Sequence, residues 1–286
     1  MKLNLDCIPC FQRQILQAVR FVSDDEGLQE QVLRESMRKL LELPWDSTPS
    51  EMANEVHKVV RELTNVRDPY AKVKRDSNDQ VLKLYPMIKT MVEESDDPLK
   101  AAIRIAIAGN IIDYGALREF NLKRTIQKVY AMRFALDESE KLKEMLESAD
   151  TFLFFADNAG EIGFDRLLIE TLLKEKSFKR IGFVVKGGPI INDATLDDAF
   201  YMGLNKLSNI EFLTISNGEA GTGPQRNSQE VEGWIRAYDL VIAKGQGNYE
   251  GLSEFHRIFF ALIVKCPLIA RDLNVNVGDI ILSYKP

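Results

Sequence analysis

From Phe11 the apolar residues fall at Phe11, Ile15, Val19 and Val22, the spacing that one face of a helix requires. Leu28, Val32, Leu33, Met37, Leu40 and Leu41 repeat the pattern up to Pro44. Thr48-Pro49-Ser50-Glu51 reads as a capping box with proline at the first helical position, and Met52, Val56, Val59, Val60 and Leu63 form the buried stripe behind it. A further helix is expected over Asp76 to Glu94, where Pro86 should end or kink it. Pro98-Leu99-Lys100 opens a more apolar helix over Ala101–Ile107. Asp137-Glu138-Ser139-Glu140 is an acidic start, suited to the helix macrodipole, for a last helix that runs out at Ala149-Asp150.

After residue 150 the period changes. Apolar runs at Thr151–Ala156, Ile181–Val185, Ile210–Ile215, Leu240–Ala243, Ile258–Val264 and Ile280–Ser283 predict strands. Helical segments are expected between most of them, starting near Phe164 (to Lys174), at Ala194 (to Met202) and at Ser228 (to Ala237). Strands alternating with helices argue a doubly wound, mostly parallel sheet. The expected fold class is α/β: a helical domain over residues 1–150, then an α/β domain over residues 151–286. No Gly/Ser-rich linker separates the two, so the boundary marks a change of architecture rather than a flexible hinge.

Composition narrows the function classes. A formal charge of −6 disfavours a nucleic-acid binder, which usually carries a basic face. No apolar run approaches the roughly 20 residues needed to cross a bilayer, and the N-terminus shows no secretory signal. Three cysteines do not make a disulfide framework, so the expected location is cytoplasmic, with no membrane or nucleic-acid partner. The two histidines, His57 and His256, are too few for a histidine-dominated metal site.

Candidate chemistry gathers where strands end, because open α/β sheets bind ligands beyond the carboxyl edge of their strands. One strand ends in Asp157-Asn158-Ala159-Gly160. Another ends in Lys186-Gly187-Gly188-Pro189 and then Asn192-Asp193-Ala194-Thr195. A further one ends in Lys244-Gly245-Gln246-Gly247-Asn248-Tyr249-Glu250. Asp157, Asn158 and Asp193 supply oxygen ligands of the kind that select Mg²⁺ or Mn²⁺ over Zn²⁺. Lys186, Lys244 and the glycines suit a phosphate group. Each also has a plainer role: Asp193 as a helix cap, the lysines as solvated strand ends, Asp157-Asn158 as a turn. Asn110 and Asp113, which follow the Ala101 helix, either cap it or reach a substrate. Cys7-Ile8-Pro9-Cys10 lacks the preceding strand of a thioredoxin motif; with Cys266 it would give thiolates for a metal or cluster if the three lie together.

Taken in order, Cys7-x-x-Cys10, Gly109-Asn110-x-x-Asp113, Phe155-Ala156-Asp157-Asn158-Ala159-Gly160-Glu161, Asn192-Asp193-Ala194-Thr195 and Lys244-Gly245-Gln246-Gly247-Asn248-Tyr249-Glu250 resemble the metal-dependent damage-control phosphatases, the family of domain of unknown function 89. The cysteine pair and the Gly247–Glu250 loop are similar to its archaeal-type first subfamily, with Tyr249 where Phe is usual. The resemblance implies Asp157, Asn158 and Asp193 as ligands of Mn²⁺, Ni²⁺, Co²⁺ or Mg²⁺, and Lys244 as a catalytic, phosphate-contacting residue beside Asp157. It implies substrate contacts from Asn110 and Asp113, with Lys186, Gly245, Gly247 and Asn248 completing the expected binding loop. The implied substrates are small phosphorylated metabolites such as sugar phosphates. Direct attack by an aspartate and attack by an activated water both fit. A phosphometabolite- or nucleotide-binding module without turnover is the alternative, and a redox or metal-sensing role for the cysteines is a third reading.

Overall fold

The computed structural model describes residues 3–109, 119–216 and 228–286. Its strands are β1 (Phe134–Asp137), β2 (Thr151–Phe155), β3 (Arg180–Lys186), β4 (Ile210–Ile215), β5 (Leu240–Lys244), β6 (Ile258–Ile263) and β7 (Ile280–Lys285). They form one sheet in the order β1-β7-β6-β5-β2-β3-β4. Neighbours run parallel except β6 and β7, which are antiparallel. The chain builds outward from β2 through β3 to β4, then returns to place β5 on the other side of β2. That reversal is the topological switch point, where the carboxyl ends of β2 and β5 leave a crevice.

Strand alternation decides which face each residue joins. Phe152, Phe154, Phe183, Leu240 and Ile242 share one core cluster with residues of α4 (Ala71–Glu93), α5 (Pro98–Ala108) and α8 (Glu161–Glu175). Leu153, Phe155, Val184, Val241 and Ala243 join the opposite cluster, with α10 (Ser228–Ala237), α11 (Gln246–Leu252) and α12 (Pro267–Leu273). Both faces are therefore covered, which is why these strands read as unbroken apolar runs. A separate cluster joins α1 (Cys7–Arg20), α2 (Glu26–Glu42) and α3 (Pro49–Thr64) through Phe11, Ile15, Val32, Met52 and Val56.

Residue 150 falls inside this arrangement. Four elements that precede it, α4, α5, α6 (Glu119–Tyr130) and α7 (Ser139–Ser148), contribute to the cluster on the sheet, and β1 pairs with β7 at the sheet's edge. Among the described residues, only α1–α3 have an apolar cluster of their own. The expected break at Pro86 is absent: α4 is one helix from Ala71 to Glu93. Val81, Leu84, Ile88 and Val92 are buried on either side of the proline, and this packing outweighs the lost backbone bond. No helix among the described residues is long and apolar enough to cross a membrane.

Candidate functional site at the carboxyl edge of β2, β3 and β5

The backbone brings two of the strand-end loops together. Past β2, Ala156 N–H still bonds to Val184 at 3.0 Å. The segment after β3 then turns back along it: Ala194 N–H donates to the Asp157 carbonyl at 2.8 Å, and Ala159 N–H to the Asn192 carbonyl at 2.9 Å. Asn158 and Asp193 face each other in an isolated antiparallel bridge. The turn that allows this holds Ile191 at φ 45°, a conformation costly for a β-branched residue. Asp193 does not cap α9 (Leu196–Tyr201). Thr195 is the N-cap, its hydroxyl and backbone N–H both bonded to Asp198, so Asp193 is spared for the site.

The loop after β5 closes the other side. Gly245 has φ 80°, and a Cβ there would overlap the carboxylate of Asp157, so this position requires glycine on two grounds. Gly247 is different, since a Cβ there meets open space. On the β3 side Lys186 Nζ lies 3.5 Å from Asp193 Oδ2, with its side chain largely buried. Asp157, Asn158, Asp193, Lys186 and Gly245 therefore converge as expected.

Burial pushes the Asp157 carboxyl well above the usual carboxylate range, and Glu161 and Asp193 add to this; Lys265 and Lys244 oppose it. Asp193 is also pushed up by burial, against the pull of Lys186 and Lys74. Two partly buried carboxylates, with a carboxamide between them in sequence, are thus both disfavoured in their charged form. A hard divalent cation favours the charged form and takes oxygen donors of this kind. The residues therefore fit the implied metal. Among the described residues no group of three or more His, Cys, Asp or Glu side chains is set to hold a metal ion. A ligand set of three protein side chains here would therefore include the carboxamide of Asn158.

Lys244 lies elsewhere than the resemblance implied. It shares strand parity with Leu240 and Ile242, so its side chain enters the core beneath α5 and α8 and is fully buried. Its ammonium donates to the Ala106 carbonyl, Glu161 Oε1 and Asp165 Oδ1, each at 2.7 Å. These three bonds use all three hydrogens and leave none for a phosphate. Asn248 is similarly committed: its buried amide nitrogen donates to the carbonyls of Ala156 at 2.9 Å and Lys244 at 2.8 Å. It pins α11 to the ends of β2 and β5, and its side chain has no N–H left for a substrate. Asn110 and Asp113 lie outside the described residues.

Cys7 and Cys10 open α1, and Cys266 caps α12. The three are free thiols whose charges would repel one another, and burial pushes Cys7 and Cys10 upward. Gln246 Nε2 donates to Cys266 Sγ at 3.3 Å. The thiols are neighbours, without converging on one point where a metal would sit.

Several residues at the site carry no local signal in the sequence. Asn78, from α4, accepts from Gly160 N–H at 2.6 Å and donates to Asp198 at 2.9 Å. Lys74 Nζ, one turn earlier, lies 3.2 Å from Asp198. Nothing in their own segment marks them, because their partners lie 82 to 124 positions away. Glu161 and Asp165 stand on α8, which begins at Glu161 rather than near Phe164 and is buried on almost every face.

The crevice at a switch point, lined by acidic and amide oxygens with an ammonium beside them, belongs to a protein of the α/β class. The full-length comparisons agree with that class and make it more specific. Residues 3–281 match the family model of the damage-control phosphatase ARMT1-like domain, and the chain belongs to this family. It is 36% identical to a damage-control phosphatase of Archaeoglobus fulgidus, covering 98% of each chain. It is 31% identical to a damage-control phosphatase of Pyrococcus horikoshii, covering 98% of this chain and 97% of that one. The crystal structure of a family member from Pyrococcus horikoshii superposes over 100% of both chains with a TM-score of 0.88 at 29% identity.

Proposed function

We propose that the protein is a divalent-metal-dependent phosphatase acting on small phosphorylated metabolites, with a role in metabolite damage control. The observation that carries this reading is the juxtaposition of Asp157, Asn158 and Asp193 at the switch point, in a chain belonging to a phosphatase family. These three residues would hold Mn²⁺, Ni²⁺, Co²⁺ or Mg²⁺. When bound, the cation supplies Lewis acidity toward a phosphoryl oxygen. Lys186, beside Asp193, is the cation best placed to offset charge on a phosphate, and the exposed Lys265, which acts electrostatically on Asp157, adds to the same field. Gly245 lets backbone and ligand approach Asp157 without a side chain between them. Sugar phosphates are the substrate class we favour.

p-Nitrophenyl phosphate with a panel of divalent metals tests this. The wild type should hydrolyse it only with metal, and Asp157→Ala and Asp193→Ala should lose at least about a thousandfold in kcat/KM, the scale of removing a principal electrostatic element of a site. Metal-independent hydrolysis, or full activity in both variants, would contradict the proposal. Metal-dependent binding of a sugar phosphate without turnover would favour the binding module instead.

A further inference from the structure

We infer that the buried Lys244–Glu161 pair is a positioning device that sets which end of the Asn158 carboxamide is offered to the metal; this rests on the metal-site reading above. Glu161 is fully buried and gives each carboxylate oxygen a different partner. Its Oε1 accepts from Lys244 Nζ at 2.7 Å, and its Oε2 accepts from Asn158 Nδ2 at 2.9 Å. Asn158 Nδ2 also donates to Asp157 Oδ2 at 2.7 Å. Carboxylates only accept, so the end of the Asn158 amide that meets both of them is the NH₂ end. Its carbonyl oxygen takes the other end, as a hard cation requires. With the amide turned over, Oδ1 would face two carboxylates, and the metal would meet an NH₂ group with no lone pair to give.

Lys244 completes the device from below. Its remaining bonds, to the Ala106 carbonyl and Asp165 Oδ1, anchor the ammonium to α5 and α8, and so fix Glu161 from the side opposite Asn158. Lys244 and Glu161 thus act on the metal through Asn158, which is the pattern by which groups behind a ligand set its orientation.

Counting acceptors gives the test. Glutamine matches glutamate in shape but has one acceptor oxygen, so Gln at 161 cannot serve both Lys244 and Asn158. Glu161→Gln should weaken Mn²⁺ binding, read by electron paramagnetic resonance on metal-stripped protein, by about 10- to 100-fold. Adding Lys244→Met removes the competing donor and frees the glutamine oxygen for Asn158. The double variant should therefore recover most of the loss, although it departs further from the wild type. Asp193→Ala is the reference that abolishes the ligand set. If Glu161→Gln binds Mn²⁺ like the wild type while Asp193→Ala does not, the positioning role is wrong and the metal site stands. If single and double variants are equally weak, the loss comes from damaged packing, and the positioning role is again wrong. If Asp193→Ala also binds like the wild type, the metal site itself fails and takes this inference with it. Should either Glu161 variant not fold, the wild type still decides. With Mg²⁺ added, both side-chain amide protons of Asn158 should exchange slowly with solvent; rapid exchange of either would overturn the inference.

Discussion

Gly245 is the residue on which the site leaves least freedom. A Cβ at this position would occupy the space of the Asp157 carboxylate, and φ 80° is unfavourable for any side chain. Gly245→Ala should displace Asp157 and lower kcat/KM by about a hundredfold, the scale for a ligand or catalytic group moved by about 1 Å. Unchanged kinetics would show that Asp157 is not held where the reaction needs it. Gly247, in the same loop, should answer differently. It lies inside α11 with open space around it, so Gly247→Ala should raise stability by about 0.5–1 kcal/mol in a thermal melt. The contrast was not legible in the sequence, where both glycines read as one phosphate-binding loop. Only the approach of the β2 end, 88 positions earlier, separates them.

Strand β5 shows how far an element's own pattern reaches. Leu240, Ile242 and Lys244 alternate onto the face covered by α5 and α8, so the strand itself sends the lysine inward. The apolar runs, the doubly wound order and the convergence of Asp157, Asn158 and Asp193 were all readable from the chain. The destination of Lys244 was readable too, through parity, but its acceptors Glu161 and Asp165 were not, because α8 looks amphipathic until its polar face is seen buried against that ammonium. Short elements escaped for a different reason. β1 has two exposed and two half-buried residues, and α11 is polar and carries two internal glycines; tertiary contacts, not local preference, hold both. Because Lys244 is one partner of a buried ionic cluster, Lys244→Met should cost about 3–5 kcal/mol in denaturant unfolding, by stranding Glu161 and Asp165. A cost near zero would mean that the cluster is not ionised in the folded protein.

Across the whole molecule, the α1–α3 cluster is a core separate from those on the sheet, and its stability carries its own pH dependence. His57 of α3 is buried with Nε2 lacking a hydrogen-bond partner, and burial, aided by Arg61, lowers its pKa to about 4. Between pH ~6.5 and ~4 the unfolded chain therefore takes up a proton at His57 that the folded chain refuses, and stability falls as the pH drops. Asp165, pushed up to about 7, has the opposite sign: its folded form binds the proton first on acidification. Comparing the wild type with His57→Leu cancels that contribution. The difference in unfolding free energy should shift against the wild type by up to about 3 kcal/mol from pH 7 to pH 4. Parallel curves would contradict a neutral buried His57. The proposed function depends on a larger scale: the segments after β2 and β3, tied to α4 by bonds spanning 82 to 124 positions, would together hold one cation. The direct measurement is a Mn²⁺ titration of metal-stripped protein, followed by electron paramagnetic resonance. One tight site is expected in the wild type, and it should disappear in Asp157→Ala and in Asp193→Ala while both variants stay folded. Unaltered Mn²⁺ binding in either variant would contradict it.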